Sequence, residues 1–388
     1  MHSYPARFPA SIVHNALDHA RRSGVMVRQV ADPFCGSGTV TYEASRYGLD
    51  AWGCDINPVA TLIARMKSAQ FDAAGFAASA IRVVERSATA SDALTVSSNA
   101  ARDLSRWYTD EQFSALARLR NAIRAEVDEG GDSDALDFAF SAITKSASQW
   151  RSRSTKPAYD PEKKPTSAVA AFSTRCNAMA KAWSSRDPRP SADIRTFTGC
   201  AINFSEDVPA VDLIITSPPY ATSYEYADLH QLSALWLGLA DSRQDLRRGV
   251  IGTACRRVNL SIAMRELNPV GIRIVFSLFN RDRALAEAVA AYLLDMQRVA
   301  ARCRQLLRPG GIAVFVIGNA QLRGMQVDNA GHLARSLLET GFDGLKIVRR
   351  NLANKSNTPY RTPTGRLSAL PTPTTVYGEE HIIMAQLS

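Results

Sequence analysis

An apolar run, VRQVADPFC (27–35), passes without a linker into GSGTVTYEASRYG and then into a second run, DAWGCDIN (50–57). No other feature constrains the fold as tightly. A strand that feeds straight into a helix and returns as a strand needs a crossover, so the two strands are parallel neighbours. Gly48 is placed to stop the first helix, and Pro58 occupies a tolerated first-turn position in PVATLIARMKSA. The order strand–helix–strand–helix predicts a doubly wound α/β sheet.

The alternation then breaks. Residues 70–185 are Ala- and Ser-rich, with apolar positions at helical spacing in QFSALARLRNAIRAEV (Phe113, Leu116, Leu119, Ile123) and no convincing strand. KSASQWRSRSTKPAYDPEKKPTS (145–167) is dense in charge, Ser and Pro and reads as a long loop. Strands resume at ADIRTFTGCA and VDLIITSPPY, followed by a helical segment at 224–240 and a less regular stretch at 241–280. ALAEAVAAYLLDMQRVAARCRQLL is a long amphipathic helix, GIAVFVIGN a strand and GHLARSLLETG a helix. DGLKIVRRNL and EEHIIMAQL close a count of seven strands, the last two separated by a polar loop. Three regions follow: 1–69, an inserted helical segment 70–190, and 191–388.

At 388 residues and 46% hydrophobic, the chain can bury one large core or two. Its longest apolar runs fall short of the roughly 18 residues a bilayer span needs. MHSYPARFPASIV lacks the apolar segment of a signal peptide, so a cytoplasmic, non-membrane protein is expected. The six cysteines include no C-x-x-C pair, which argues against a metal site and a disulfide framework. A net charge of +9 favours a polyanionic partner over a neutral one, although an ordinary basic surface has the same composition.

Two motifs carry chemistry. In the first, Asp32-Pro33-Phe34-Cys35-Gly36-Ser37-Gly38-Thr39, a glycine loop between strand and helix lets backbone approach a ligand closely. Asp32, at the strand end, can meet an ammonium. Asp55, at the end of the next strand and before Ile56 and Asn57, can accept two ribose hydroxyls. The competing role for Asp55 is a helix cap ahead of Asn57-Pro58. The phosphate-binding pattern G-x-x-x-x-G-K-[ST] is missing, which excludes a P-loop nucleotide triphosphatase. In the second motif, Ser217-Pro218-Pro219-Tyr220, two prolines hold the chain off regular pairing and leave carbonyls without sheet partners. Those carbonyls and the Ser217 hydroxyl form an acceptor set for an amino group. Tyr220 offers a face for a planar ring. The competing reading is a plain Pro-Pro turn with an exposed tyrosine.

DPFCGSGT followed by TSPPY resembles the AdoMet-dependent amino-methyltransferases of DNA, particularly the N4-cytosine type, in which Ser-Pro-Pro-Tyr is common. N6-adenine enzymes more often have Asp or Asn at the first position. HSYPARFP (2–9), with Tyr4 and Phe8, resembles the segment that helps close the AdoMet site in this family. It begins at the second residue, whereas family members often carry sequence before it. CDINPVATLIARMKS resembles the ribose-binding strand and its helix, and LLRPGGIAVFVIGN the strand after the catalytic one. The insertion and 241–280 resemble nothing assignable. The resemblance implies a Rossmann-like seven-stranded sheet with a C-terminal β-hairpin and S-adenosyl-L-methionine as cofactor. It also implies transfer to the amino group of a base flipped out of double-stranded DNA, without a metal or a covalent intermediate. Cys35 and Cys255 lack the preceding proline of a C5-cytosine nucleophile and are read as structural.

DNA contacts are expected outside the sheet: at Arg151, Arg153, Lys156, Lys163 and Lys164, at Arg256 and Arg257 within 241–280, and at Arg349, Arg350, Lys355, Arg361 and Arg366 around 350–375. Each of these is equally readable as a solvated charged loop. The alternatives are an N6-adenine DNA enzyme, an RNA guanine-N2 enzyme, a protein glutamine methyltransferase and an inert binding subunit. Family habit adds a role in modification or host defence beside a cognate restriction partner. The sequence shows neither that partner nor the oligomeric state.

Overall fold

The computed structural model describes residues 9–152, 154, 156–186, 190–204, 207–221, 226–253, 256–351, 360–361, 367–368 and 379–388. Its centre is a seven-stranded sheet. The strands are β1 (Gln29–Asp32), β2 (Asp50–Asp55), β3 (Ile194–Thr198), β4 (Val211–Thr216), β5 (Leu307–Ile317), β6 (Phe342–Asn351) and β7 (Glu379–Leu387). They lie in the order β3-β2-β1-β4-β5-β7-β6. The first five are parallel, and β7 runs antiparallel to both β5 and β6. This is the expected Rossmann-like seven-stranded sheet, closed by an antiparallel C-terminal pair. Two short antiparallel ladders stand outside it, one within 320–327 and one pairing 360–361 with 367–368.

Helices cover both faces of the sheet. On one, α1 (Ala10–Arg22) and α2 (Thr39–Arg46) pack against Val30, Leu213, Ile215, Val314 and Val316. Alternate residues, Ala31, Ile214, Ala313 and Phe315, join the core on the other face. Burial on both faces explains why β4 and β5 read as continuous apolar runs rather than as alternating ones. The helix α3 (Pro58–Ser68) follows β2 and is buried at Val59, Leu62, Ile63 and Met66.

The insertion forms five helices: α4 (Ala73–Ser87), α5 (Ser98–Ser105), α6 (Asp110–Asp128), α7 (Ser133–Ser141) and α8 (Ala168–Ser184). Each starts at a side-chain cap, respectively Asp72, Ser97, Thr109, Asp132 and Ser167. Such caps satisfy otherwise orphaned amides and divide an Ala-rich stretch into separate helices. Their core is continuous with the buried side chains of α3. Next come α9 (Tyr226–Leu229) and α10 (Gln231–Trp236), and α10 contributes Leu232, Leu235 and Trp236 to the same core.

The stretch 241–280 is more regular than the sequence reading allowed. It holds α11 (Leu260–Glu266) and α12 (Pro269–Phe279), capped by Asn259 and Asn268. Buried Gly271, Ile274, Val275 and Leu278 follow helical spacing, and Asn268-Pro269 is a start signal that was legible. The long α13 (Arg283–Leu306) leads to β5, and α14 (Asn329–Glu339) precedes β6. The helix α1 was not anticipated, although Ile12, Val13, Ala16, Leu17 and Ala20 form its buried stripe.

The Trp236 ring is fully buried and meets Tyr108, Phe113 and Phe140 of the insertion at centroid distances of 5.8, 5.3 and 6.0 Å. Trp236→Ala is therefore expected to destabilise the whole chain by about 3–5 kcal/mol. Urea unfolding followed by fluorescence and by circular dichroism should shift together, because the ring joins the insertion to the sheet-bearing half.

Candidate active site

The order of the sheet reverses at β1 and β4, and in open α/β sheets a ligand crevice lies beyond the carboxyl ends at such a point. Both sequence motifs meet there. β1 ends in Asp32, which is buried. Asp32 Oδ1 accepts from Thr216 Oγ1 at 2.6 Å and from the Phe34 amide at 3.1 Å. Burial pushes its carboxyl up to about 7, the Asp55 charge adds to this, and the two hydrogen bonds act the other way.

The loop that follows is held by backbone. The Cys35 amide donates to the Cys54 carbonyl at 2.8 Å and the Gly38 amide to the Cys35 carbonyl at 2.7 Å. Gly36 and Gly38 have φ of 48° and 68°, in the left-handed region that favours glycine. A Cβ on Gly38 would sit 2.7 Å from that of Ala64, so the loop lies directly on α3. Pro33, Ser37 and Thr39 are buried and Phe34 is half-buried against the apolar cluster. Ser37 Oγ is buried with no hydrogen-bond partner among the described residues. Burial holds the Cys35 thiol well above its ordinary pKa, as a neutral group.

Asp55 spans two elements. Its Oδ2 accepts from the Gly36 amide and its Oδ1 from the Asn57 amide, each at 2.9 Å. Burial raises its pKa, and the two amide bonds act the other way. The helix cap falls on Asn57, whose Oδ1 accepts from Val59 and Ala60 at 3.1 and 3.4 Å. The Asn57 side-chain Nδ2 also meets His230 Nδ1 at 3.1 Å. Asp55 is thus a strut under the glycine loop rather than a cap, and each of its oxygens keeps a second lone pair for a further donor. Ile56 packs toward Gly249.

In the second motif, Ser217 Oγ donates to the Val316 carbonyl of β5 at 3.0 Å. A hydroxyl has one proton, so toward any further partner Ser217 is an acceptor. Pro218 is buried, and Pro219 and Tyr220 are half-buried. The Tyr220 ring lies on Gly318, where an added Cβ would come within 3.0 Å of it. The Tyr220 hydroxyl donates to Glu380 Oε1 at 3.3 Å, and Glu380 Oε2 accepts from Arg350 Nη2 at 3.0 Å. Sequence reasoning missed Glu380 and read Arg350 as a phosphate contact; in the fold Arg350 is ion-paired beside the tyrosine. The only signal was the antiparallel register that sets Glu380 opposite Arg350.

Besides Arg350, two more of the expected DNA-contacting cations are occupied within the protein. Lys163 Nζ donates to the Lys145 and Trp150 carbonyls, both at 2.8 Å, and burial pulls its pKa down to about 8. It closes the loop over Trp150, which is itself buried and stacked on Trp107. Arg256 pairs with the buried carboxylate of Asp295. Arg257 lies 3.9 Å from Glu287, and Arg151 lies 3.7 Å from Asp160. Lys156 and Lys164 are exposed. Arg361 falls in the short ladder opposite Leu367. Tyr4, Phe8, Arg153, Cys255, Lys355 and Arg366 lie outside the described residues.

No family model matches the chain. The Type II methyltransferase M.MvaI of Kocuria varians is 20% identical over 94% of this chain and 86% of its own length. Among solved structures, a SAM-dependent methyltransferase of Methanosarcina mazei is 10% identical, with 100% of this chain and 99% of that one covered and a TM-score of 0.31. The rRNA methyltransferase aviRa of Streptomyces viridochromogenes is 10% identical, with 99% and 88% covered and a TM-score of 0.29.

A carboxyl whose pKa is higher folded than unfolded loses stability as pH rises from the unfolded to the folded value. For Asp32 that window runs from 3.8 to about 7. The stability of wild type relative to Asp32→Asn is expected to fall across it and level off above. Urea denaturation of both proteins between pH 4.5 and 8 measures this, and a pH-independent difference would refute it.

Proposed function

We propose that this chain transfers a methyl group from S-adenosyl-L-methionine to an exocyclic amino group of a base in double-stranded DNA, with cytosine N4 as the target. The observation that carries the reading is the Thr216–Asp32 hydrogen bond, because it fastens the glycine loop to the residue immediately before Ser217. End-to-end similarity to a Type II methyltransferase supports the same class.

The residues fit the cofactor. Asp32 is a carboxyl whose pKa is raised by burial, and an ammonium beside it would stabilise its charged form. Asp55 retains a lone pair on each oxygen that could accept from a ribose hydroxyl, and Ser37 offers a buried hydroxyl in the loop between the two carboxyls. When bound, the cofactor supplies an electrophilic methyl on a sulfonium. Tyr4 and Phe8 are proposed to close over it, by the family resemblance alone.

The chain's own contribution is positioning and electrostatics. Ser217 Oγ, with its proton spent on Val316, accepts from one N–H of the target amino group, and the Pro218 carbonyl accepts from the other. Both contacts raise electron density on the nitrogen. Tyr220 supplies the flat surface for the ring, and Glu380 and Arg350 fix the angle of that surface. Serine in the first position of the motif favours cytosine over adenine.

The test is transfer of labelled methyl to mixed-sequence duplex DNA, with tRNA and rRNA in parallel and the products resolved as nucleosides by mass spectrometry. N4-methylcytosine is expected. N6-methyladenine would overturn the base, and label confined to RNA would overturn DNA. Ser217→Ala is expected to lower kcat by about 100-fold or more with cofactor binding retained. Cofactor affinity in wild type is expected to weaken below pH 7, approaching tenfold per unit, because protonated Asp32 no longer attracts an ammonium. Calorimetric titration across pH 5.5–8 reads this directly.

A further inference from the structure

Arg323 is the one non-glycine residue with positive φ, 51°, among the described residues. It forms a two-residue turn with Gly324 (φ 77°), between Ala320–Leu322 and Met325–Val327. Both positive angles mark the tight hairpin turn in which Asn-Gly is the ordinary choice. An arginine there carries backbone strain that glycine or asparagine would largely avoid. Folding alone does not favour it.

Its position suggests a purpose. The hairpin leaves β5 at Gly318, the residue under the Tyr220 ring, so its tip stands at the carboxyl edge of the sheet. α13 runs back toward β5 from the same edge, and its first residues meet the tip. Arg323 Nε and Nη2 lie 3.1 and 3.0 Å from Asp282 Oδ2, and Arg281 Nη1 donates to the Arg323 carbonyl at 3.3 Å. Arg283 lies 3.3 Å from Glu287, and its guanidinium is 5.9 Å from the ring centre of half-exposed Phe279. Arg281 is exposed, and the side chains of Arg283 and Arg323 are 73% and 68% exposed. The acidic groups orient these arginines without neutralising the rim, since among the described residues Arg281, Arg283 and Arg323 share two carboxylates, Asp282 and Glu287.

We infer that this rim, Arg281, Arg283 and Arg323 with Phe279 beside them, docks the phosphate backbone of the DNA whose base enters the Tyr220 site. The inference rests on the function proposed above. Charge complementarity selects the occupant: a guanidinium pairs with phosphate in a planar, bidentate geometry. The strained turn holds one of the three at a fixed height above the edge.

The test uses the full chain with Arg281→Gln, Arg283→Gln and Arg323→Asn combined. Asparagine keeps the left-handed turn, so the hairpin is retained. Binding to duplex DNA is followed by fluorescence anisotropy from 50 to 300 mM salt. The expected result is a tenfold or greater loss of affinity at 100 mM salt and a salt slope lower by about 2–3. Cofactor binding should stay at its wild-type value, and Tm should not fall below that of wild type. A control removes three exposed arginines elsewhere, Arg102, Arg304 and Arg335. If the rim variant binds DNA as wild type does, or if the control loses as much, the inference falls while the proposed function stands. If wild type neither binds nor methylates duplex DNA, the proposed function falls and the inference with it. Preference of wild type for structured RNA would overturn DNA as the occupant.

Discussion

One hydrogen bond, from Thr216 Oγ1 to Asp32 Oδ1 at 2.6 Å, organises the site. It crosses between β1 and β4, the two strands that flank the reversal of the sheet. A buried carboxyl left without donors is costly, so the bond fixes the ends of both strands together. The same oxygen takes the Phe34 amide, which starts the glycine loop, and Thr216 is followed directly by Ser217. A slip of β4 by one residue would break this bond and the Ser217–Val316 bond at once, because side chains alternate along a strand. Register, loop and acceptor set are thus one constraint.

The edge so formed is acidic and largely buried. Asp32 and Asp55 each have raised pKa values through burial, and the charge of Asp55 raises that of Asp32 further. Two carboxylates that repel each other in a low-dielectric crevice favour an incoming cation more than either would alone. Asp55 cannot relax away, since both its oxygens hold backbone amides of the segments it joins. Gly36 and Gly38 make that arrangement sterically accessible, and Gly38 also lets the loop rest on Ala64. The preference for positive charge is built into the backbone rather than into mobile side chains.

The parts of this arrangement that were legible are the local ones. DPFCGSGT and TSPPY each announce their own geometry within eight residues or fewer, and their strands carry the apolar runs of a sheet buried on both faces. What the sequence hid depends on pairing across distance. Glu380 and Arg350 face each other only through the register of β6 with β7, and Tyr220 reaches Glu380 across 160 positions. The basic segments misled for a related reason. Charge density marks a candidate for phosphate contact, but it does not reveal that Lys163 is drawn onto two carbonyls or that Arg256 meets a buried aspartate. Arg323 gave no sign either, because its interest lies in a φ angle. Helices α11 and α12 were the avoidable miss, since their asparagine caps and the Pro269 start are plain in the chain.

The helical insertion is part of the same mechanical unit. It packs along α3, whose Val59, Leu62, Ile63 and Met66 belong to the insertion's core. Both ends of α3 are also tethered. At its start, Asn57 caps the helix and meets His230, just before α10, and the Trp236 ring of α10 sits among the insertion's aromatic rings. At its end, Arg65 makes two hydrogen bonds to Asp134 in α7, at 2.7 and 3.1 Å. That ion pair is half-exposed and worth little by itself, so the apolar contacts supply the adhesion and the polar ones fix the angle. Asn57 lies two residues from Asp55, the strut under the glycine loop. Any force that moves the insertion therefore acts on α3, and through its first turn on the loop. The fold places a large surface outside the sheet and gives it a stiff connection to the glycine loop, which is the coupling required if engagement of a macromolecule at one is to set geometry at the other.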